Sequence, residues 1–155
     1  MIKIIAGDIF DTDAEVIVNP VNCIGVMGKG LAKAIKKQYP WSFSNYEDAC
    51  KRNELIPGGY VVSKFESMFS EDDDYPIIVH LATKGHWRSK SKIEDIERGL
   101  ENLVDFTKSN NIESVALPQL GCGLGGLDWE DLEPIFYHHL SDSECKFIMY
   151  IYREK

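Results

Sequence analysis

The glycine-rich stretch Gly121–Gly126 constrains the fold more than any other part of the sequence, because it holds four glycines in six residues. The apolar run Ser114–Leu117 before it predicts a strand, and the pattern after it predicts a helix over Trp129–Leu140, with Asp128 as its cap. A strand, a glycine loop and a helix start, in that order, can direct backbone N–H groups at an anion. An ordinary turn between a strand and a helix has the same pattern.

A second glycine loop follows another predicted strand. Val16–Asn19 predicts a short buried strand, Pro20–Gly30 is the loop, and a helix is predicted from Gly30 to about Tyr39. Neither loop has the ending of a P-loop or the glycine spacing of a Rossmann dinucleotide site. Two anion-binding loops that face each other suit a ligand with two linked phosphates.

The remaining chain alternates strand patterns with helix patterns. Further strands are predicted at Ile2–Ala6, Tyr60–Phe65, Ile77–Ala82 and Lys146–Tyr152, further helices over Trp41–Arg52 and from a capping box at Ser91–Glu94 to about Lys108, and an exposed acidic loop at Ser67–Asp74. The buried stripe of the long helix is predicted as Ile93, Ile96, Leu100, Leu103 and Val104. We therefore expect a single α/β domain over residues 1–155, with one sheet between helix layers.

Four polar or glycine-rich segments each follow a predicted strand: Asp8, Asn22–Gly30, Thr83–Lys90 and Gly121–Gly126. Ligands of α/β sheets bind beyond the carboxyl ends of the strands, so parallel strands would bring these segments to one edge. Asp8 can accept a hydrogen bond from an amine there, or it is only a turn residue.

Charge is distributed unevenly along the chain. The formal net charge is -8, from 17 basic and 25 acidic side chains, which argues against a general nucleic-acid coat protein. Two stretches nevertheless lack acids, and their basic residues are Lys29, Lys33, Lys36, Lys37, Lys84, Arg88, Lys90 and Lys92. This pattern indicates a specific anionic ligand, or else two solvated lysine-rich faces.

Metal, redox and membrane signals are weak. The four cysteines lack CxxC spacing, which indicates free thiols in a reducing cytoplasm. Cys23 and Cys122 lie in the glycine loops, where each is either a nucleophile or a small residue that fills the loop. The adjacent His138 and His139 have the wrong spacing for shared metal ligation on a helix. No metal and no cofactor are expected. No apolar run or signal-peptide pattern predicts a membrane association, so we expect a cytoplasmic location.

Four motifs occur in order: Gly7-Asp8-Ile9, Ile17-Val18-Asn19-Pro20-Val21-Asn22, Gly25-Val26-Met27-Gly28-Lys29-Gly30-Leu31-Ala32 and Gly121-Cys122-Gly123-Leu124-Gly125. Over nearly the whole chain they resemble the macrodomain family. Thr83–Arg88 and Gly121–Glu130 resemble its ADP-ribosyl glycohydrolase branch, which includes the DarG antitoxin macrodomain and the terminal ADP-ribose glycohydrolase, and look most like the DNA-directed DarG type. The resemblance implies a three-layer α/β/α sandwich with a central mixed, mostly parallel sheet.

The resemblance also implies an ADP-ribose site. Asp8 and the backbone of Ile9 would hold the adenine amino group, Asn22 would contact the distal ribose, and Lys84 would carry hydrolysis, with Asn22 and Lys84 as the catalytic pair. The diphosphate and distal ribose would lie against Gly25, Val26, Met27, Gly28, Lys29, Gly30, Thr83, Gly121, Cys122, Gly123, Leu124 and Gly125. The terminal ADP-ribose glycohydrolase has an acid where this chain has Gly125, and the DNA-directed relatives lack that acid too.

The side chains near Lys84 suggest its chemistry. A lysine acts as nucleophile or general base only when deprotonated; Lys29, Arg88 and Lys90 would lower its pKa by repulsion, whereas a bound diphosphate would raise it. The alternative is a plain electrostatic contact to phosphate or DNA. His86, Trp87, Arg88 and Lys90 are suited to contact a single-stranded nucleic acid, although Trp87 is equally compatible with the core.

We therefore expect a metal-independent ADP-ribosyl hydrolase that removes ADP-ribose from a modified macromolecule, namely ADP-ribosylated thymidine in single-stranded DNA, as in a DarG-like antitoxin. The expected partners are that DNA and a cognate ADP-ribosyltransferase toxin, and the expected state is a monomer. Two alternatives remain: a non-catalytic ADP-ribose-binding module and an ADP-ribose 1''-phosphate phosphatase.

Overall fold

A computed structural model describes residues 1–66 and 75–151 of the chain. The strands are β1 (Ile2–Ala6), β2 (Val16–Val21), β3 (Tyr60–Ser63), β4 (Ile77–Ala82), β5 (Ser114–Pro118) and β6 (Lys146–Ile151), and the helices are α1 (Gly30–Gln38), α2 (Phe43–Lys51), α3 (Ile93–Ser109) and α4 (Trp129–Leu140). The predicted acidic loop Ser67–Asp74, and Tyr152, lie outside the described residues. No described helix is both long and apolar enough to cross a bilayer.

The six strands form one sheet in the order β1-β6-β5-β2-β4-β3. Strand β3 runs antiparallel to β4, and the other four pairs are parallel. This confirms the predicted mixed, mostly parallel sheet. Because β1, β2, β4 and β5 point the same way, the segments that follow them lie at one edge. There Thr83 N donates to Val21 O at 2.9 Å, and Cys23 N donates to Gly85 O at 3.0 Å.

Alternate side chains of β2 face opposite layers, as the period of a strand requires. Val16 and Val18 belong to the core cluster that contains residues of α3 and α4. Ile17 belongs to a second cluster with Ile35 of α1. Helices therefore cover both faces of the sheet, and β2 is buried on both sides, which explains its almost uninterrupted apolar sequence.

Two predicted helix starts are wrong. Helix α2 begins at Phe43, because Pro40–Ser42 forms a separate 3-10 turn. The capping box before α3 does not form: Lys92 holds the N-cap position without a side-chain cap bond. Ser91 instead packs beneath the second glycine loop, where its N–H donates to Gly125 O at 2.9 Å.

Two smaller predictions about helix residues also need correction. Asp128 does hold the N-cap position of α4, but its side chain makes no capping hydrogen bond. In α3, Ile93 is exposed and Val104 only half-buried, so the fully buried stripe runs through Ile96, Gly99, Leu100, Leu103, Phe106 and Thr107.

A buried polar cluster lies between the sheet and α2, centred on the fully buried His80 of β4. His80 Nε2 lies 2.8 Å from Ser42 O, and His80 Nδ1 lies 3.1 Å from Asn19 Nδ2. A carbonyl only accepts, so Nε2 carries the proton and Nδ1 accepts from Asn19. Burial lowers the pKa of His80 to about 4, so the imidazole is neutral.

His80 should make stability depend on pH. The pKa of His80 is 6.5 in the unfolded chain and about 4 in the folded chain. At pH values between these two, the unfolded chain therefore binds a proton at His80 that the folded chain does not bind. The contribution of His80 to the free energy of unfolding should then drop by about 1.4 kcal/mol per pH unit across that interval. In urea titrations, the stability gap between wild type and His80→Gln should narrow as pH falls. A gap that stays constant would contradict a buried neutral histidine.

Candidate functional site

A cleft of about 500 Å³ opens at the carboxyl edge of the sheet, between the loops that follow β2, β4 and β5. This volume lies within the range of small-molecule sites. The predicted site residues that line the cleft are Asn22, Val26, Gly28, Lys29, Gly30, Thr83, Lys84, Trp87, Gly121, Cys122, Gly123, Leu124 and Gly125. The two glycine loops therefore do face each other.

Other predicted site residues are not among the lining residues: Asp8, Ile9, Gly25, Met27, His86, Arg88 and Lys90. Asp8 Oδ1 accepts from Phe10 N at 2.9 Å and caps the short 3-10 turn Ile9–Asp11. The side chain of Ile9 is buried in the core. Met27 is also buried and anchors its loop from below, with its sulfur 3.9 Å from Asn19 Nδ2.

Several lining residues were not predicted as site residues: Pro20, Val21, Leu31, Ala32, Pro118 and Gln119. Pro20 and Val21 begin the predicted loop Pro20–Gly30, although the structure places them at the end of β2, and the other four flank a predicted glycine loop. That position was the available signal, since these residues carry no charge and no reactive group. Gln119 is the polar member, and it directly follows β5.

The first turn of α1 faces the cleft through Gly30, Leu31 and Ala32. The N–H groups of a first helical turn have no acceptor within the helix, and the helix dipole gives that end a partial positive charge. Lys29 and Lys84 add full positive charges, and no Asp or Glu is found among the described lining residues. The cleft is therefore suited to an anionic ligand.

Lys84 joins two of the loops. Its Nζ donates to Trp87 O at 3.2 Å, within its own loop, and to Leu124 O at 3.1 Å in the second glycine loop. A lysine ammonium group has three N–H donors, and two of them are used here, so one remains available for a ligand. Burial lowers the pKa of Lys84. The predicted cause was wrong, because desolvation and not repulsion from neighbouring cations produces this shift.

Trp87 is on the surface, so its alternative role in the core is excluded. It is 43% exposed, its ring lies 5.4 Å from the His86 ring at an interplanar angle of 29°, and Arg88 Cζ lies 4.5 Å from its centroid. Arg88 N donates to His86 Nδ1 at 3.0 Å and fixes the turn. A packed group of aromatic and cationic side chains thus borders the cleft at Trp87.

The environments of the two cysteines in the glycine loops favour the protonated thiol. Burial raises the pKa of Cys23 to about 11 and also raises the pKa of Cys122. A thiol is nucleophilic as the thiolate, so both environments favour the loop-filler interpretation. Within residues 1–66 and 75–151, no group of three or more His, Cys, Asp or Glu side chains could hold a metal ion.

Asn22 organises the first glycine loop from inside. Its Oδ1 accepts from Ile24 N at 3.1 Å, and its Nδ2 donates to Val26 O at 2.8 Å. The hydroxyl of Tyr46 lies 2.8 Å from both Asn22 O and Asn22 Oδ1, and Tyr46 is fully buried on α2. Sequence reasoning missed Tyr46, since nothing separates it from an ordinary buried aromatic residue.

Replacing Tyr46 with Phe should loosen this loop. The change removes the hydroxyl while it keeps the ring, and one hydrogen bond is worth about 1 kcal/mol net. The amide protons of Ile24 and Val26 should then exchange with solvent about fivefold faster in hydrogen-exchange NMR. Tyr137→Phe, at an exposed position on α4, is the matched control. Unchanged exchange at both amides in Tyr46→Phe would show that the hydroxyl does not support the loop.

Comparison with known proteins identifies the family. The Macro domain family model matches residues 18–136. A DNA ADP-ribosyl glycohydrolase of Mycobacterium tuberculosis is 46% identical over 133 residues, which make up 86% of this chain and 37% of that relative. A DNA ADP-ribosyl transferase–DNA ADP-ribosyl glycohydrolase fusion protein of Thermosipho africanus is 36% identical over 165 residues, covering 99% of this chain and 42% of the fusion.

A solved structure agrees with the sequence relatives. The structure of Thermosipho africanus DarTG in complex with ADP-ribose superposes with a TM-score of 0.87 at 36% identity, over 98% of this chain and 41% of that one. The chain thus spans less than half the length of these relatives. Its mostly parallel sheet, its facing glycine loops and these matches lead to one conclusion: the chain belongs to the macrodomain family.

Proposed function

We propose that this chain binds ADP-ribose in the cleft and removes it from ADP-ribosylated DNA, with Lys84 as the catalytic residue. The observation that carries the proposal is the position of Lys84. Its nitrogen lies where the loops after β4 and β5 meet, in the same cleft as the first turn of α1, and the described residues that line this cleft include no Asp or Glu. The relatives' glycohydrolase names and the ADP-ribose in the Thermosipho africanus complex support it.

The cleft offers one consistent arrangement for the ligand. The diphosphate would lie between the first turn of α1 and the backbone of Gly123–Gly125, where N–H groups and Lys29 balance its charge. The distal ribose would then reach Lys84 and Asn22. Asp8, whose Oδ1 caps the turn Ile9–Asp11, would use its other oxygen for the adenine amino group.

The reaction would be hydrolysis at the anomeric carbon of the distal ribose. The bond between that carbon and the base breaks, the oxygen of water bonds to the carbon, and a proton from water ends on the released base. The neutral amine of Lys84 would assist as nucleophile or general base, and its lowered pKa increases the fraction of that form. No metal ion is required in this scheme.

We infer that the acceptor is single-stranded DNA modified on thymidine, and that a cognate ADP-ribosyltransferase toxin makes the modification. The surface group His86, Trp87 and Arg88 supports the nucleic acid, since aromatic rings and guanidinium groups contact unpaired bases. Lys90 adds positive charge in the same loop. The Thermosipho africanus fusion joins a transferase to a glycohydrolase in one chain, which supports such a pair. We expect a cytoplasmic monomer that acts as an antitoxin.

Lys84→Ala tests the enzymatic role directly. Loss of the assisting amine should lower the rate of ADP-ribose release from ADP-ribosylated single-stranded DNA by about 100-fold or more. Affinity for free ADP-ribose, measured by calorimetry, should stay close to wild type. Lys108→Ala, an exposed lysine in the last turn of α3, is the control and should keep full activity.

Other results of the same assay would select the rival functions. Binding of ADP-ribose without release from any modified DNA or protein would identify a binding module. Phosphate release from ADP-ribose 1''-phosphate, with modified DNA left intact, would identify a phosphatase. Full activity of Lys84→Ala would remove Lys84 from the mechanism.

The pH dependence separates a neutral amine from a charged contact. If the amine acts deprotonated, kcat should rise with pH up to the pKa of Lys84 in the complex, which burial lowers and the diphosphate raises. Lys84→Arg, whose guanidinium stays charged, should be slow and lack this rise. A wild-type kcat that is flat or falls with increasing pH would favour the electrostatic role.

A further inference from the structure

Three large apolar side chains on the cleft lining are exposed: Val26 at 43%, Trp87 at 43% and Leu124 at 63%. We call them the apolar rim. Leu124 has the largest exposed fraction among the large apolar side chains of the described residues. Exposed apolar side chains gathered around one cleft indicate a contact surface for a ligand or partner.

Two of the three residues of the apolar rim contact the proposed catalytic nitrogen through their backbone. The two carbonyl oxygens that accept hydrogen bonds from Lys84 Nζ belong to Trp87 and Leu124. The residues that position this nitrogen are therefore also members of the apolar rim. A Cβ atom added to Gly30 would lie 3.2 Å from Leu124 Cδ1, so the Leu124 side chain extends toward the first glycine loop, which carries Val26. When the distal ribose lies within reach of Lys84, the leaving group bonded to that sugar therefore lies next to the apolar rim.

The chemistry of the apolar rim selects among leaving groups. A carboxylate or phosphate loses hydration against the side chains of Val26 and Leu124, which offer it no hydrogen-bond donor. A nucleobase has apolar faces, and thymine adds a methyl group that apolar side chains contact well. The Trp87 ring is already contacted by His86 and Arg88, so Val26 and Leu124 supply the free apolar surface.

We propose that Val26, Trp87 and Leu124 form the binding site for the leaving base, and that Val26 and Leu124 favour thymine by contact with its methyl group. This inference rests on the proposed function and adds to it a specificity for the base that is released. It also gives Val26 and Leu124 a role beyond contact with the ADP-ribose moiety.

The test compares two synthetic single-stranded oligonucleotides that carry ADP-ribose on the same atom of the base, one on thymidine and one on deoxyuridine. They differ by one methyl group, whose burial corresponds to about a fourfold change in kcat/KM. Wild type should prefer the thymidine substrate by about that factor. Leu124→Ala and Val26→Ala should bring the ratio close to one. Ile56→Ala, an equally exposed apolar residue that does not line the cleft, should keep the wild-type ratio.

Because the ratio is measured within each variant, it does not depend on how much of that variant is active. Equal rates on the two substrates in wild type would overturn the inference while the proposed function stands. A preference that survives in both Leu124→Ala and Val26→Ala, with both rates lowered equally, would also overturn it and leave these residues as ADP-ribose contacts. Release from neither substrate by wild type would overturn the proposed function, and the inference with it.

Discussion

The parallel pairing of β2 with β4 on one side and β5 on the other is the constraint on which the site depends. It sends the three following loops to the same edge, where Lys84 can reach a carbonyl of the second glycine loop. Reversal of any one strand would move its loop to the opposite edge and separate Lys84 from that carbonyl or from the start of α1. The cleft is therefore a consequence of sheet topology, and the loop sequences determine what it can bind.

A layer of buried polar groups holds the loops in place from beneath. His80 fixes Asn19, Asn19 contacts the sulfur of Met27, and Tyr46 fixes Asn22. Such groups stabilise a structure only when nearly all of their hydrogen bonds are made. In the described residues this condition is almost met, with Asn19 Oδ1 and Ser91 Oγ left without partners. The support is thus specific, because a shifted first glycine loop would leave further buried donors and acceptors unpaired.

Sequence predicted the strands, the helices and the facing loops well, because apolar periodicity and glycine clusters are local signals. The predictions from sequence were wrong where contacts between distant parts of the chain determine the position of a residue. The capping box is absent because Ser91 packs against Gly125, where an added Cβ would lie 2.7 Å from Ser91 Oγ. The support from Tyr46 and the exposure of Trp87 likewise depend on which elements meet in space, which no short stretch of sequence records.

We propose that the start of α1 and the second glycine loop hold the diphosphate of ADP-ribose between them. Titration of the isotopically labelled protein with ADP-ribose, followed by NMR at the backbone amides, tests it most directly. The amides of Gly30–Ala32 and Gly123–Gly125 should shift together and saturate, and adenosine, which lacks the diphosphate, should move them far less. If these amides do not respond to ADP-ribose, or respond equally to adenosine, the proposed binding mode is contradicted.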